Sequence, residues 1–426
     1  MDLTTVKKHF RHEIANWIGN KSELNADFIR KKAQVMFNKI SPRLKEEEKE
    51  KIIKALCDDF LGLGPLQELM DDSEVTEIMV NGPYNVYKEK HGKKILTNIK
   101  FDGHQHLRYI IEKMLAPTNR RVDESRPHVD FSLKDGSRVN VIIPPLSVGG
   151  ATITIRKFLR TIENVNDLIK LGTLDKRMAQ FLVACIKARV NILFSGATGS
   201  GKTTTLEVLS SYIAAEERTI TIEDTLEITL RQNHVVRLIT KLPNVEGKGE
   251  ITLRELFINT LRMRPTRIIL GELRGAETMD YLQALNSGHR GCLAVIHASR
   301  PSDAIARLQT MASYAGLNIP PWGVRRQISS GLNLIVQQEQ FVDGTRRITY
   351  ITEVGDFGKN RISLKDIFRF DAKEVLENGK VKGSFTVFGK PKFLSLFKKK
   401  GIEIDNSIFT PDKEKSNIKK REMDIE

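Results

Sequence analysis

Cysteine is scarce in this 426-residue sequence. Its three cysteines, Cys57, Cys185 and Cys292, are scattered without metal-ligand spacing and read as ordinary thiols in a reducing compartment. Long apolar runs are missing as well. Nowhere do 18 apolar residues run together, and the start "MDLTTVKKHFRHEIANWIG" lacks the apolar stretch of a signal peptide. The expected location is the cytoplasm, either free or attached to a membrane from that side. No arginine-rich arm with interleaved aromatics and no internal repeat occurs.

Charge of one sign is in excess. A formal net charge of +15 suits nucleic acid, an anionic membrane face or an acidic protein, and the dispersal of the basic residues favours a solvated surface suited to an acidic partner. A hydrophobic share of 40% is enough for a large core divided among two or three domains.

The periodicity divides the chain into four parts. In residues 1–60, Val6, Phe10, Ile14, Trp17 and Ile18 recur at helical spacing among Lys7, Lys8 and Arg11. Such a stripe can lie on a membrane or bind a partner helix, but docking on its own protein explains it more simply. Residues 61–158 read as a small α+β domain, with turns at His91-Gly92 and Asp135-Gly136 and one helix near His104 to Leu115. From 159 to 370 the strands "VNILFS", "TITIED", "VVRLIT", "RIILGE" and "CLAVIHA" alternate with helices, which predicts an α/β fold with a mostly parallel sheet covered on both faces. A hairpin turning at Asp343-Gly344 closes this part. Residues 371–426 are a basic, partly disordered tail, in which "KPKFLSLFKKKG" reads as a small docked helix that could instead touch an anionic membrane.

Four strand ends carry chemistry. "GATGSGKT" follows a strand and opens a helix, as a phosphate-binding loop must. Gly196, Ala197, Thr198, Gly199, Ser200, Gly201, Lys202, Thr203 and Thr204 are the expected nucleotide-binding residues. The glycines let backbone N–H groups wrap a triphosphate, Lys202 neutralises its β and γ oxygens, and the Thr203 hydroxyl ligates Mg²⁺. "TIEDTLEI" ends a strand in Glu223 and Asp224, which could hold Mg²⁺ through water or position the attacking water; equally, such acids can cap the next helix. In "RIILGELRGAET" the strand end where P-loop ATPases commonly carry a metal-binding aspartate holds Gly271 and then Glu272. Glu272 can take a proton from water. In "NSGHRGCLAVIHA", His297 could hydrogen-bond a γ-phosphate, although a lone histidine is more often structural. Arg126, Arg138, Arg156, Arg262, Arg264 and Arg274 are candidates for the cation that phosphoryl transfer needs.

In this order and spacing the four motifs resemble the secretion and pilus-motor ATPases of the type II/type IV superfamily. "GATGSGKTTT" is similar to its Walker A loop, "TIEDTLEI" to its Asp box, "GELRGAE" to its atypical Walker B and "GHRGCLAVIHA" to its His box. "GLGPLQELMDDSEVTEIMVNGPYNVY", "DGSRVNVIIPPLSVGGATITIRKF" and "VEGKGEITLRELFINTLRMRP" further resemble the CpaF-like branch, which powers tight-adherence (Flp) pili. The resemblance spans roughly Leu61 to Phe370. It implies a RecA-like motor domain after a smaller N-terminal domain, ATP and Mg²⁺ as ligands, and a homo-hexameric ring with nucleotide between the two domains. It also implies Glu272 as base with Glu223, His297, Arg138 and Arg156 in support, and Thr203, Glu223 and Asp224 at the metal. The partner it implies is an inner-membrane platform protein, with the ring held peripherally at that membrane. No zinc element and no stable nucleic-acid binding are expected. The ATPases of type IV conjugation and effector systems share these motifs and are the second reading; a nucleic-acid translocase is a third.

Overall fold

The computed structural model describes residues 3–18, 24–40, 44–118, 120–158, 162–241, 243–244, 247–377, 379–411 and 423–424. Most of the terminal stretch "TPDKEKSNIKKREMDIE", expected to be disordered, lies outside them. The chain forms two compact units, Met1–Leu159 and Arg160–Glu426. No described helix is long and apolar enough to cross a membrane.

The first unit joins a three-helix layer to an antiparallel sheet. Helices α1 (Leu3–Ile18), α2 (Ala26–Ile40) and α3 (Glu46–Leu61) bury Val6, Phe10, Ile14, Ile29, Ile53 and Leu56 among themselves. The basic amphipathic stripe of α1 is therefore spent on this chain's own helices, and Trp17 lies under Lys32, with Nζ 4.4 Å from the ring centre. The sheet has the order β3-β2-β1-β6-β5-β4, built from β1 (Val75–Asn81), β2 (Val86–Lys90), β3 (Lys93–Leu96), β4 (His128–Ser132), β5 (Arg138–Ile142) and β6 (Thr152–Arg156). His91 and Gly92, both left-handed, form the two-residue turn between β2 and β3. Alternate residues of β1, β5 and β6 face the helix His104–Leu115 and make a second core with Ile78, Val80, Leu107, Ile111, Val141 and Ile155.

A charge cluster ties the two layers. Arg11 on α1 donates from Nη2 to Asp59 on α3 and to Asp102, at 2.6 Å each. The Asp102 amide donates to Nδ1 of His106, so Nε2 carries the proton and donates to the other oxygen of Asp59 at 3.1 Å. Burial pushes the Asp59 carboxyl up, but the His106 hydrogen bond and the charges of Lys7 and Arg11 hold it below its ordinary value.

The second unit is an α/β motor-type domain. Strands β7 (Ile192–Ser195), β8 (Thr219–Glu223), β9 (Val235–Ile239), β10 (Arg267–Leu270), β11 (Leu293–Ile296) and β12 (Leu334–Gln340) run parallel in the order β12-β7-β11-β10-β8-β9. An antiparallel meander of β13 (Arg346–Gly358), β14 (Arg361–Val375) and β15 (Val381–Val387) extends the β12 edge. The central strands β7, β8, β10 and β11 are buried throughout because both faces are covered. Ile192, Phe194 and Val295 point to the helices Lys176–Lys187 and Lys202–Ser210. Leu193, Leu270 and Ile296 point to the helices Leu253–Thr260, Glu277–Asn286, Pro301–Ser313 and Pro321–Gly331.

The described residues between 371 and 411 of the lysine-rich stretch continue β14, form β15 and add the short helix Ser395–Lys399. Phe181 is the hub under them, ringed by Phe368, Phe393, Phe397 and Phe409 at centroid distances of 5.5 to 6.3 Å. Phe181→Ala should cost about 3–5 kcal/mol, the usual loss for emptying a buried aromatic site. Urea unfolding measures that cost. Limited proteolysis should show the lysines at 398–400 cut earlier in the variant than in the wild type.

Candidate functional site

Parallel pairing brings the four chemical strand ends to one edge of the sheet, the C-terminal edge where ligands bind in open α/β folds. Gly196 follows β7, Glu223 ends β8, Gly271 and Glu272 follow β10, and His297 follows β11. The loop after β7 turns tightly beside β12: a side chain at Gly196, where φ is 156°, would run into the Gln338 carbonyl. Ala197 and Thr198 are exposed at the tip, Gly199, Gly201, Thr203 and Thr204 are half-buried, and Ser200 and Lys202 are buried. Lys202 and Thr203 open the helix Lys202–Ser210, whose first N–H groups and positive dipole end face the loop.

Three side chains form a line across the edge. Lys202 donates from Nζ to the Ala197 carbonyl at 2.7 Å and lies 3.5 Å from Nδ1 of His297. Because an ammonium only donates, Nδ1 accepts and Nε2 carries the proton. Nε2 is 3.4 Å from Oε1 of Glu272. That hydrogen bond outweighs partial burial and, with the charges of Arg274 and Lys202, holds the Glu272 carboxyl below its ordinary value. Glu272 is thus ionised near neutral pH, as a proton acceptor must be.

Glu223 has a different environment. It is 2% exposed, and its Oε1 accepts the backbone N–H groups of Glu227 and Ile228 at 2.8 Å each. Its Oε2 is buried without a hydrogen-bond partner. Burial pushes this carboxyl up to about 7 despite the two backbone bonds. The same residue accounts for Gly271. A β-carbon added there would lie 3.0 Å from the Glu223 Cγ, so Glu223 fills the space a side chain at the end of β10 would need.

Asp224 is engaged elsewhere: Arg274 reaches it at 2.7 Å and the Thr240 hydroxyl donates to it at 3.1 Å. Glu277 accepts the backbone N–H groups of Arg274 and Gly275 and so fixes the loop that leads into its own helix. Arg138 and Arg156 lie in the first unit as direct cross-strand neighbours on β5 and β6, with Arg156 4.0 Å from Glu77. Two supports of the loop carry no local motif. Arg346 on β13 donates to the Gly199 carbonyl at 2.7 Å, and Gln338 on β12 accepts from the Thr205 hydroxyl at 2.8 Å. Both arrive through strand pairing about 140 residues downstream, which no local spacing announces.

The family described as Type II/IV secretion system protein matches residues 59–346. A candidate conjugal transfer protein of Mycobacterium tuberculosis is 30% identical over 305 residues, covering 70% of this chain and 86% of that protein. The type IV secretion system protein PtlH of Bordetella pertussis is 32% identical over 315 residues, covering 67% and 91%. Among solved structures, the VirB11 ATPase of the Brucella suis type IV secretion system in complex with sulphate is 27% identical and covers 71% of this chain and 98% of its own, with a TM-score of 0.37.

The Glu223 environment makes a pH prediction for the nucleotide-free protein. The unfolded chain ionises this carboxyl near the ordinary 4.5, the folded one only near 7. The folded state therefore loses stability as pH rises across that window. Glu223→Gln removes the titration, so from pH 4 to pH 8 the wild type should lose about 3 kcal/mol more than the variant. Denaturant unfolding of both proteins across that range tests it; parallel curves would mean that Glu223 titrates normally.

Proposed function

Because the chain belongs to the type II/IV secretion system protein family, we propose that it is the hexameric motor of a pilus or secretion machine, working at the cytoplasmic face of a membrane. The chain is an ATP hydrolase. The observation that carries the catalytic reading is the line Lys202, His297, Glu272, which ends in an ionised carboxylate half-exposed at the nucleotide edge.

The residues present fit Mg-ATP. Ala197 and Thr198 are exposed at the loop tip, the Ser200 hydroxyl and the Glu223 Oε2 are buried without partners, and Lys202 is buried. Mg²⁺ usually keeps several waters and takes few protein ligands, so the Thr203 hydroxyl with Glu223 behind it is a sufficient set, and Asp224 would join it on leaving Arg274. Bound Mg-ATP supplies the phosphoanhydride bond and the divalent charge that offsets negative charge at the phosphates.

The chain's own groups do the rest. Loop N–H groups and Lys202 orient the phosphates. Glu272 takes the proton of the attacking water, and His297 holds Glu272 in place while linking it to Lys202. Arg346 and Gln338 keep the loop in shape. Arg138 and Arg156 supply cationic charge during turnover. Hydrolysis then drives closure between conformational states, the source of mechanical work.

The CpaF-like branch, with a tight-adherence pilus as the machine and an inner-membrane platform protein as the partner, rests on the resemblance of the stretches around residues 62–87 and 135–158. The name of PtlH favours the second reading, a type IV secretion machine.

Glu272→Gln should lower Mg²⁺-dependent ATP turnover by about 10²–10⁴ with ATP binding nearly unchanged. Equal turnover in both proteins would move the base to Glu223. Arg138→Ala or Arg156→Ala should lower turnover by about 10³ if these residues act as arginine fingers, with light scattering to check that the assembly persists.

A further inference from the structure

The opposite edge of the same sheet holds a basic cavity of about 840 Å³ that the hydrolytic site does not use. Its wall comes from the segments that lead into β7, β8, β10 and β11 and from the end of the helix Ser395–Lys399. Arg189, Arg218, Arg264, Arg290, Lys399 and Lys400 line it, with Glu216 as the one carboxylate in the lining. β7 lies between Arg189 and Gly196, so the cavity is roughly 20 Å from the phosphate loop at about 3.3 Å per residue.

Of these six cations, Arg189 alone makes an ion pair among the described residues, with Glu217. Arg264, Arg290, Lys399 and Lys400 make no ion pair among the described residues. Arg218 donates to the Met263 carbonyl at 3.1 Å and to the His234 ring at 3.2 Å, so it faces no acid either. Glu217, beneath the floor, is already shared between the buried Arg267 at 2.6 Å and Arg189 at 3.2 Å. The backbone bears a further sign. Of the five left-handed non-glycine residues among those described, two are Arg189 at φ 60° and Arg264 at φ 53°. Such outliers persist where the surroundings demand them and concentrate at ligand sites.

We propose that this cavity is a second anion site, one that takes a small ligand bearing two or more phosphate groups. Guanidinium forks match phosphate oxygens two at a time, and they converge here from four separate segments around a compact space. The volume is that of a small-molecule site, and an extended acidic peptide would need a groove along one face. Five cations without an ion pair, against Glu216 as the one acid in the lining, exceed what a single phosphate neutralises. The site goes beyond ATP hydrolysis and stands independently of it.

The test uses the full chain carrying Lys202→Ala, which weakens the phosphate loop, titrated with inorganic tripolyphosphate in a calorimeter at 0.15 M salt. One equivalent per chain should bind. Adding Arg264→Ala and Arg290→Ala, both exposed, should weaken binding by about tenfold or more for each arginine. Lys31→Ala with Lys54→Ala, exposed on the helices of the first unit, removes the same charge and should leave the affinity unchanged. Binding unchanged in the arginine variant, equal losses in both double variants, or no binding up to 1 mM tripolyphosphate would each overturn the proposal. So would an octaglutamate peptide that binds tighter than tripolyphosphate and is lost with the same two arginines, since the ligand would then be an acidic protein segment. A failure here would leave the Glu272→Gln result untouched.

Discussion

Parallel pairing of β7, β8, β10, β11 and β12 is the constraint on which the rest of the second unit depends. Strands that run the same way place all their carboxyl ends on one edge. Residues as far apart in sequence as Lys202, Glu223, Glu272 and His297 become neighbours for that reason. The same register sends the segments before each strand to the other edge, where arginines gather at 189, 218, 264 and 290. One geometric rule thus makes two chemically distinct ends.

The exchange between Gly271 and Glu223 shows packing and chemistry acting on the same atoms. Two backbone N–H groups clamp one oxygen of Glu223, and its methylenes lie against the glycine. The strand end of β10 lacks a side chain because the neighbouring strand has extended one into that space. The missing aspartate of the usual phosphate-loop enzyme is therefore a matter of volume as well as of charge. A carboxylate is still at hand, delivered from β8.

The fold class was legible because it is written in local pattern. Short apolar strands separated by amphipathic helices demand a covered parallel sheet, and paired glycine turns announce the hairpins at His91-Gly92 and Asp343-Gly344. The neighbourhood of the four motifs follows from the same pattern once the strands are parallel. What the sequence concealed was long-range. Arg346 and Gln338 support the loop from strands whose register no nearby residue declares. The docked helix expected in "KPKFLSLFKKKG" was legible from its apolar residues, but not its partner: Phe397, buried, and Phe393, partly buried, meet Phe181 more than 200 residues upstream. The clasp of Arg11, Asp59, Asp102 and His106 was equally invisible, because charged residues of distant segments look like surface until they meet.

The hub at Phe181 has a consequence for the making of the protein. Its last aromatic neighbour, Phe409, leaves the ribosome 228 residues after Phe181 itself (409 − 181). At about 5–20 residues per second the gap lasts roughly 10–50 s. For that time Phe181 lacks its full aromatic ring, although the rest of its helix can already pack on Ile192, Phe194 and Leu206. The core around Phe181 is thus completed only when Phe393, Phe397 and Phe409 have been made.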